Sequence, residues 1–136
     1  MNVDEALDFV RNNHQAVLAT QRRDGRPQLT PVTVGVDRGG AVVISTRETA
    51  MKTKNVEREP WCSVCVLKDG FLGPFAQIEG RAEIVHLPEA MDGLIEYYRD
   101  ISGEHPDWDD YRAAMERDRR VLLRVRPERV GPNRGG

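Results

Sequence analysis

Polar and apolar residues alternate from Gln77 to Ile84, and this pattern constrains the fold more than any other segment of the chain. The polar members are Gln77, Glu79, Arg81 and Glu83, and the small or apolar members are Ile78, Gly80, Ala82 and Ile84. Because successive side chains of a β-strand point to opposite faces, the alternation predicts a strand with one solvated face and one buried face. Strands of this kind are typical of antiparallel sheets.

Five other segments have the composition of strands. They span residues 15–20, 27–36, 41–46, 61–67 and 121–125, and we expect the last to end at Arg126-Pro127. Short turns at Asp24-Gly25 and at residues 37–40 predict hairpins between the first three. Helical periodicity predicts helices over residues 4–13, 50–58, 88–101 and 107–117. The sequence therefore predicts a mainly β fold, a six-stranded antiparallel barrel with peripheral helices.

Length and composition limit the class of protein. The chain has 136 residues, and we predict one domain over residues 1–130 followed by a polar tail over residues 131–136. A formal net charge of −2 argues against a nucleic-acid partner. No apolar run is long enough to span a membrane, and the N-terminus lacks the pattern of a signal peptide. We therefore expect a cytoplasmic protein without a membrane partner.

Two groups of residues resemble metal or redox sites. Cys62 and Cys65 form a C-x-x-C pattern, but residues three apart on a strand point to opposite faces, so two small buried thiols are the better interpretation. His105 lies among four acids in residues 104–110. Asp107 at the start of a predicted helix explains this group as a helix cap with first-turn acids. We predict no metal site.

Lysine is rare in this chain, and its distribution is informative. Three of the 20 basic residues are lysine, and two of these, Lys52 and Lys54, lie in one short stretch with Thr53 and Asn55. The stretch follows a strand that ends in Ser45-Thr46, and Thr49 is placed to cap the helix. Unpaired backbone N–H groups and the helix dipole favour an anion at such a helix start. The pattern favours a phosphate site, and a solvated helix face is the alternative.

Motifs for side-chain catalysis are missing from the sequence. It contains no G-x-S-x-G, no G-x-x-x-x-G-K-[ST] and no G-x-G-x-x-G, and we predict no catalytic residue. An enzyme of this kind takes its chemistry from a cofactor. Because side chains fill a barrel of about six strands, a large cofactor has to bind outside it or at an interface.

The chain resembles the pyridoxamine-phosphate-oxidase-like split β-barrel family, and within it the small actinobacterial branch that binds coenzyme F-420. The resemblance covers residues 4–132. The segments on which the resemblance rests are residues 17–20, Asp24-Gly25-Arg26-Pro27-Gln28-Leu29, Lys52-Thr53-Lys54-Asn55-Val56, Glu79-Gly80-Arg81-Ala82, Tyr98-Arg99, residues 103–112 and residues 118–122. The segment Trp108-Asp109-Asp110-Tyr111-Arg112 is typical of a narrower subgroup.

The resemblance implies a split barrel of the FMN-binding type that forms a homodimer, with cofactor sites at the interface. Lys52 would contact the cofactor phosphate, with Thr53, Lys54 and Asn55 nearby. Ser45 and Thr46 would line the ring system, together with Gln28, Pro31 and Val32 on the second strand. Phe71 would come from the partner subunit.

The activity that the resemblance implies is hydride transfer from reduced F-420, a deazaflavin, to a small unsaturated or aromatic acceptor. FMN is the alternative cofactor, for an oxidase or reductase of the same fold, because both cofactors carry a ribityl phosphate. F-420 is favoured over FMN because the positive charges of Arg47, Lys52 and Lys54 would match the negative charge of its oligoglutamate tail. A cofactor carrier without turnover is a third possibility.

Overall fold

The structure is a computed structural model, and it describes residues 1–132. Its strands are β1 (Gln15–Gln21), β2 (Pro27–Thr33), β3 (Gly35–Val36), β4 (Val42–Arg47), β5 (Trp61–Leu67), β6 (Phe75–Val85) and β7 (Arg120–Gly131). Its helices are α1 (Val3–Asn12), α2 (Met51–Arg58), α3 (Met91–Ser102) and α4 (Trp108–Arg117). All strands join one antiparallel sheet in the order β2-β1-β5-β6-β7-β4-β3. The predicted mainly β fold with peripheral helices is confirmed.

The predicted count of six strands is wrong, because the segment predicted as residues 27–36 forms two strands. β2 pairs with β1, whereas β3 pairs with β4, and one residue, Val34, separates them. The backbone N–H of Val34 donates to the carbonyl of His14 at 2.8 Å, and its side chain is fully buried. Since β2 and β3 are the two ends of the strand order, this short link requires the sheet to curl until its edges meet. The result is the half-barrel of a split-barrel fold.

The last strand is longer than predicted. β7 does not end at Arg126-Pro127 but continues to Gly131, opposite β6. The register shifts between Glu79 and Gly80, and this β-bulge accommodates Pro127, which has no N–H to donate. Gly131, the first residue of the predicted tail, thus ends β7, and residues 133–136 lie outside the described part of the chain.

Two hydrophobic clusters hold the helices on the sheet. Inside the curled sheet, Leu18, Ile78 and Leu123 are fully buried together with residues of α1. On the other side of β4 and β7, Val43 and Leu122 pack against α3 and α4. Two caps fix helix starts: Asn2 and Glu5 form a capping box at α1, and Asp107 accepts from the backbone N–H of Asp110 at 3.1 Å, as predicted for α4. These clusters set α2 and α3 around the end of β4.

Candidate functional site

A groove of about 550 Å³ opens where β1 and β2 meet β4 and the two helices α2 and α3. Its volume is within the range of small-molecule sites, roughly 300–1,000 Å³. The residues that line it are Gln15, Ala16, Val17, Pro31, Val32, Thr33, Ser45, Lys52, Leu67 and Tyr97. Four of the ten residues predicted to bind the cofactor, Pro31, Val32, Ser45 and Lys52, are therefore brought together in one place.

The groove has an apolar part and a polar end. Strands β1 and β2 supply the apolar side chains, among them Val17 and its direct cross-strand neighbour Pro31. Ser45 on β4, Lys52 on α2 and Tyr97 on α3 form the polar end, and β1 and β2 add the polar side chains of Gln15 and Thr33. The Tyr97 hydroxyl donates to the carbonyl of Thr33 at 2.8 Å, which ties α3 to the end of β2. An arrangement of this kind suits a molecule with a flat apolar part and a charged end.

Lys52 carries a positive charge that nothing in residues 1–132 balances. Its side chain is partly buried and makes no ion pair with a described carboxylate. Burial, followed by the positive charge of Arg120, lowers the pKa of Lys52. The first turn of α2 contains no acidic residue. An anion that binds at this end of the groove would relieve both the lost solvation and the repulsion.

Four other predicted residues form two hydrogen-bonded pairs between α2 and the strands and do not line the groove. Thr53 is fully buried, and its hydroxyl donates to the Arg47 carbonyl at 2.7 Å and lies 3.5 Å from the Thr46 hydroxyl. Asn55 is also buried, and its amide donates to the side-chain oxygen of Gln28 at 2.9 Å. The hydrogen bonds of these side chains are therefore directed within the protein.

The remaining predicted residues lie at the surface. Lys54 and Arg47 are exposed near the start of α2. Phe71 is 67% exposed on the loop after β5, and Leu67, which ends that strand, lines the groove. The prediction that Thr49 caps α2 is wrong: Ala50 occupies the cap position and no side-chain cap is made. The backbone N–H groups at this helix start thus have no side-chain acceptor from the cap.

The sequence analysis missed Tyr97, which contributes the α3 wall of the groove. Burial raises the pKa of its phenol, while a backbone hydrogen bond at Ser45 and the charge of Arg120 act in the opposite direction. The sequence feature that could have identified Tyr97 is its position. It lies one helical turn after the buried Leu94 and places a hydroxyl at the end of an apolar helix face.

The two cysteines differ in burial. Cys62 is buried, whereas Cys65 lies on the opposite face of β5, as the alternation predicts, and is only half-buried, so the prediction of two buried thiols is wrong for Cys65. Burial raises the pKa of the Cys62 thiol to about 12. Within residues 1–132, no three His, Cys, Asp or Glu side chains are grouped to hold a metal ion. None of the helices in this part of the chain is long and apolar enough to cross a membrane.

Comparison with known protein families identifies the family to which this fold belongs. The family model of pyridoxamine 5'-phosphate oxidase matches residues 3–133. The chain belongs to the pyridoxamine 5'-phosphate oxidase family. This confirms the family resemblance and accounts for the curled antiparallel sheet, since the split barrel is the fold of this family.

Several solved structures share this fold. A conserved hypothetical protein from Mycobacterium tuberculosis is 28% identical, with 96% of this chain and 82% of that chain covered and a TM-score of 0.76. An F-420 reductase is 22% identical, with 91% and 94% covered and a TM-score of 0.69. The heme storage protein HutZ from Vibrio cholerae is 17% identical, with 96% and 94% covered and a TM-score of 0.72. The fold therefore occurs in oxidoreductases and in heme proteins, and the cofactor has to be argued from the groove.

Proposed function

We propose that this protein binds coenzyme F-420 in the groove between β2, β4 and α2 and uses it to reduce small unsaturated or aromatic molecules. The observation that carries the proposal is the position of Lys52 at the polar end of an apolar groove, where this partly buried cation pairs with no carboxylate of residues 1–132. Membership of a family that includes flavin enzymes, and the fold shared with an F-420 reductase, support it.

The residues present fit a flavin-type cofactor. Val17 and Pro31, which are direct cross-strand neighbours, offer an apolar surface for a flat ring system, and Pro31 has no N–H that would be left without a partner. Val32 lies on the other face of β2 and packs against the core. Ser45 and Lys52 at the polar end offer a hydroxyl and an ammonium group for a phosphate. The buried Thr46, Thr53 and Asn55 and the half-buried Gln28 then act as supports, because their hydrogen bonds hold α2 against β2 and β4.

The roles of the cofactor and of the protein in the proposed reaction follow from this arrangement. When bound and reduced, a deazaflavin supplies the hydride. The chain binds the cofactor phosphate through Lys52, orients the ring against the apolar strands and excludes water from the contact with the acceptor. No side chain of the groove is assigned a catalytic role.

The surroundings of the groove favour F-420 over FMN. Arg47 and Lys54 are exposed near the start of α2, and α2 has no acid in its first turn. F-420 continues beyond its phosphate into an acidic oligoglutamate chain, whereas FMN ends there. Exposed cations at this end match the extra negative charge of F-420.

We also propose that a second copy of the chain covers the groove. β1 is apolar on both faces: Leu18 is buried in the core, whereas Val17 and Ala19 point outward. The outward face continues on its neighbours, with Leu29 on β2 66% exposed and Trp61 on β5 41% exposed. Apolar residues on both faces of a strand indicate that both faces are covered. A homodimer would cover this face and would allow Phe71 of the second copy to reach the cofactor.

Parallel titrations of the protein with F-420 and with FMN, followed by the fluorescence of each cofactor, test the choice of cofactor. We expect saturable binding of F-420 and none of FMN. Binding of FMN alone would move the protein to the flavin branch, and binding of neither would refute the proposal.

Turnover is tested separately by mixing the protein with reduced F-420 and a panel of enones and quinones. Oxidation of the coenzyme with at least one acceptor is the expected result. Tight binding of F-420 without oxidation by any acceptor would instead identify a carrier.

A further inference from the structure

Arg120 lies next to the polar end of the groove. It is the first residue of β7 and pairs with Arg47, the last residue of β4. In this antiparallel pair, Arg120 shares a sheet face with Leu122, whose cross-strand neighbour is Ser45. Ser45 in turn lines the groove with Lys52 and Tyr97. The register therefore places Arg120 two residue pairs beyond the Ser45–Leu122 pair, at the next position on the same sheet face.

The guanidinium of Arg120 lacks the partners that such a group normally has. Its Nε atom is buried and makes no hydrogen bond within the described part of the chain. It also makes no ion pair with any carboxylate of residues 1–132. A buried donor without an acceptor is costly and uncommon in folded proteins. The guanidinium thus has a donor that an anion could satisfy.

The acids around Arg120 do not pair with it. Glu48 and Glu116 border a second cleft together with Arg120, but the Glu48 carboxylate is 3.0 Å from Arg119 and 3.7 Å from His86, and no ion pair joins Glu116 to Arg120. Arg119 and Arg120 are thus adjacent arginines with different surroundings: Arg119 pairs with Glu48, whereas Arg120 pairs with no carboxylate of residues 1–132.

Arg120 is also close enough to the groove for its charge to act there. Its positive charge is a cause of the lowered pKa of Lys52, after burial, and it also acts on Tyr97. The two positive charges therefore act on each other, and neither has a carboxylate partner within residues 1–132. Like charges destabilise each other, so an anion shared by both would stabilise the arrangement.

We propose that Lys52 and Arg120 together form a two-cation site for a phosphate group at the polar end of the groove, with Arg120 as a direct contact of the anion. The planar guanidinium presents several donors in a fixed geometry that suits the oxygens of a phosphate, and Lys52 adds a point charge. The site would take phosphate esters and pyrophosphate as a class. Only the identity of the natural ligand as F-420 rests on the function proposed above.

Thermal unfolding of the protein with and without pyrophosphate tests the site without the cofactor. Arg120→Gln removes the charge, Arg120→Lys retains it, and Arg119→Gln is the matched control, because it removes one charge from the adjacent residue. Pyrophosphate should raise the Tm of the wild type and of Arg119→Gln, should raise it less for Arg120→Lys, and should leave Arg120→Gln unchanged. Without ligand, the Tm of Arg120→Gln should not be lower than that of the wild type, whereas a structural arginine would lower it.

The same variants are then titrated with F-420. We expect Arg120→Gln to weaken binding about tenfold to a hundredfold, the range for a hydrogen bond to a charged group, and Arg119→Gln to leave it unchanged. Wild-type affinity in Arg120→Gln, or no effect of pyrophosphate on the wild type, would overturn the proposal. A pyrophosphate effect that depends on Arg120 while F-420 does not bind would uphold the anion site and refute the proposed cofactor.

Discussion

The side-chain amide of Asn55 donates a hydrogen bond to the side-chain oxygen of Gln28, 2.9 Å away, and so links helix α2 to strand β2. The same amide donates to the hydroxyl of Thr20 on β1 at 3.1 Å. Asn55 is 2% exposed, and water therefore cannot replace these partners. The orientation of the helix that carries Lys52 depends on this contact.

Replacing Asn55 with alanine should destabilise the fold. The substitution leaves Thr20 and Gln28 with unsatisfied groups, at a cost of about 1–3 kcal/mol in the free energy of unfolding. Urea denaturation measures the loss, and Lys54→Ala, an exposed position on the same helix, is the control that should change stability by less than about 0.5 kcal/mol. Equal stability of the two variants would show that the Asn55 contacts contribute nothing.

Asp37 should make stability depend on pH in the acid range. Burial alone would raise its pKa, but hydrogen bonds from Arg124 and the backbone of Ala41, with the charge of Arg124, prevail and lower it. Arg124 lies 2.6 Å from Asp37 and also contacts Glu83. Because the folded-state pKa is below the unfolded value of about 3.9, the stabilisation is present above that pH and is lost as the pH falls through the folded-state pKa.

Asp37→Asn should therefore lower stability at pH 7 by about 1.5–3 kcal/mol and should flatten the decline between about pH 5 and pH 2. Denaturation curves at pH 7, 5 and 3 measure both effects. Asp109→Asn, whose side chain is 97% exposed, is the control and should keep the wild-type pH profile. A wild-type profile in Asp37→Asn would contradict the assignment.

Gly80 should tolerate no side chain. A Cβ atom at this position would lie 1.8 Å from the carbonyl oxygen of Arg126, and the obstacle is backbone, which cannot rotate away. Gly80→Ala should cost at least about 3 kcal/mol or prevent folding, by forcing the bulge between β6 and β7 apart. Soluble yield and thermal unfolding report the effect. Arg81→Ala, at the exposed neighbouring position, should fold normally, and a stable Gly80→Ala protein would show that the bulge is deformable.

The local parts of the fold could be predicted from the sequence. The alternation at Trp61–Leu67 and Phe75–Val85 depends only on which face of a strand is buried, and the first turn of α4 depends on its cap at Asp107. The break at Val34 could not be predicted, because the valine alternation continues through it while the backbone changes partner from β1 to β4. The continuation of β7 past Pro127 depends on Gly80, a residue far away in sequence.

The candidate site was predictable to a similar degree. The basic stretch at the start of α2 identified Lys52, but each residue of a helix turns by about 100°, so its neighbours Thr53 and Asn55 point into the protein. Tyr97 and Arg120 reach the groove region from distant segments, and only the packing of α3 and the register of β4 with β7 bring them there. No local pattern contains that information.

The central claim, that Lys52 holds the phosphate of an F-420 cofactor in the groove, is tested most directly by titrating the wild type, Lys52→Ala and Lys54→Ala with F-420. Fluorescence of the cofactor gives the three dissociation constants. We predict that Lys52→Ala weakens binding by about 1.5–3 kcal/mol, roughly tenfold to a hundredfold, because it removes a hydrogen bond to a charged group. Lys54→Ala removes the same charge from an exposed position and should have a smaller effect. Unchanged affinity in Lys52→Ala, or no binding of F-420 to the wild type, would contradict the claim.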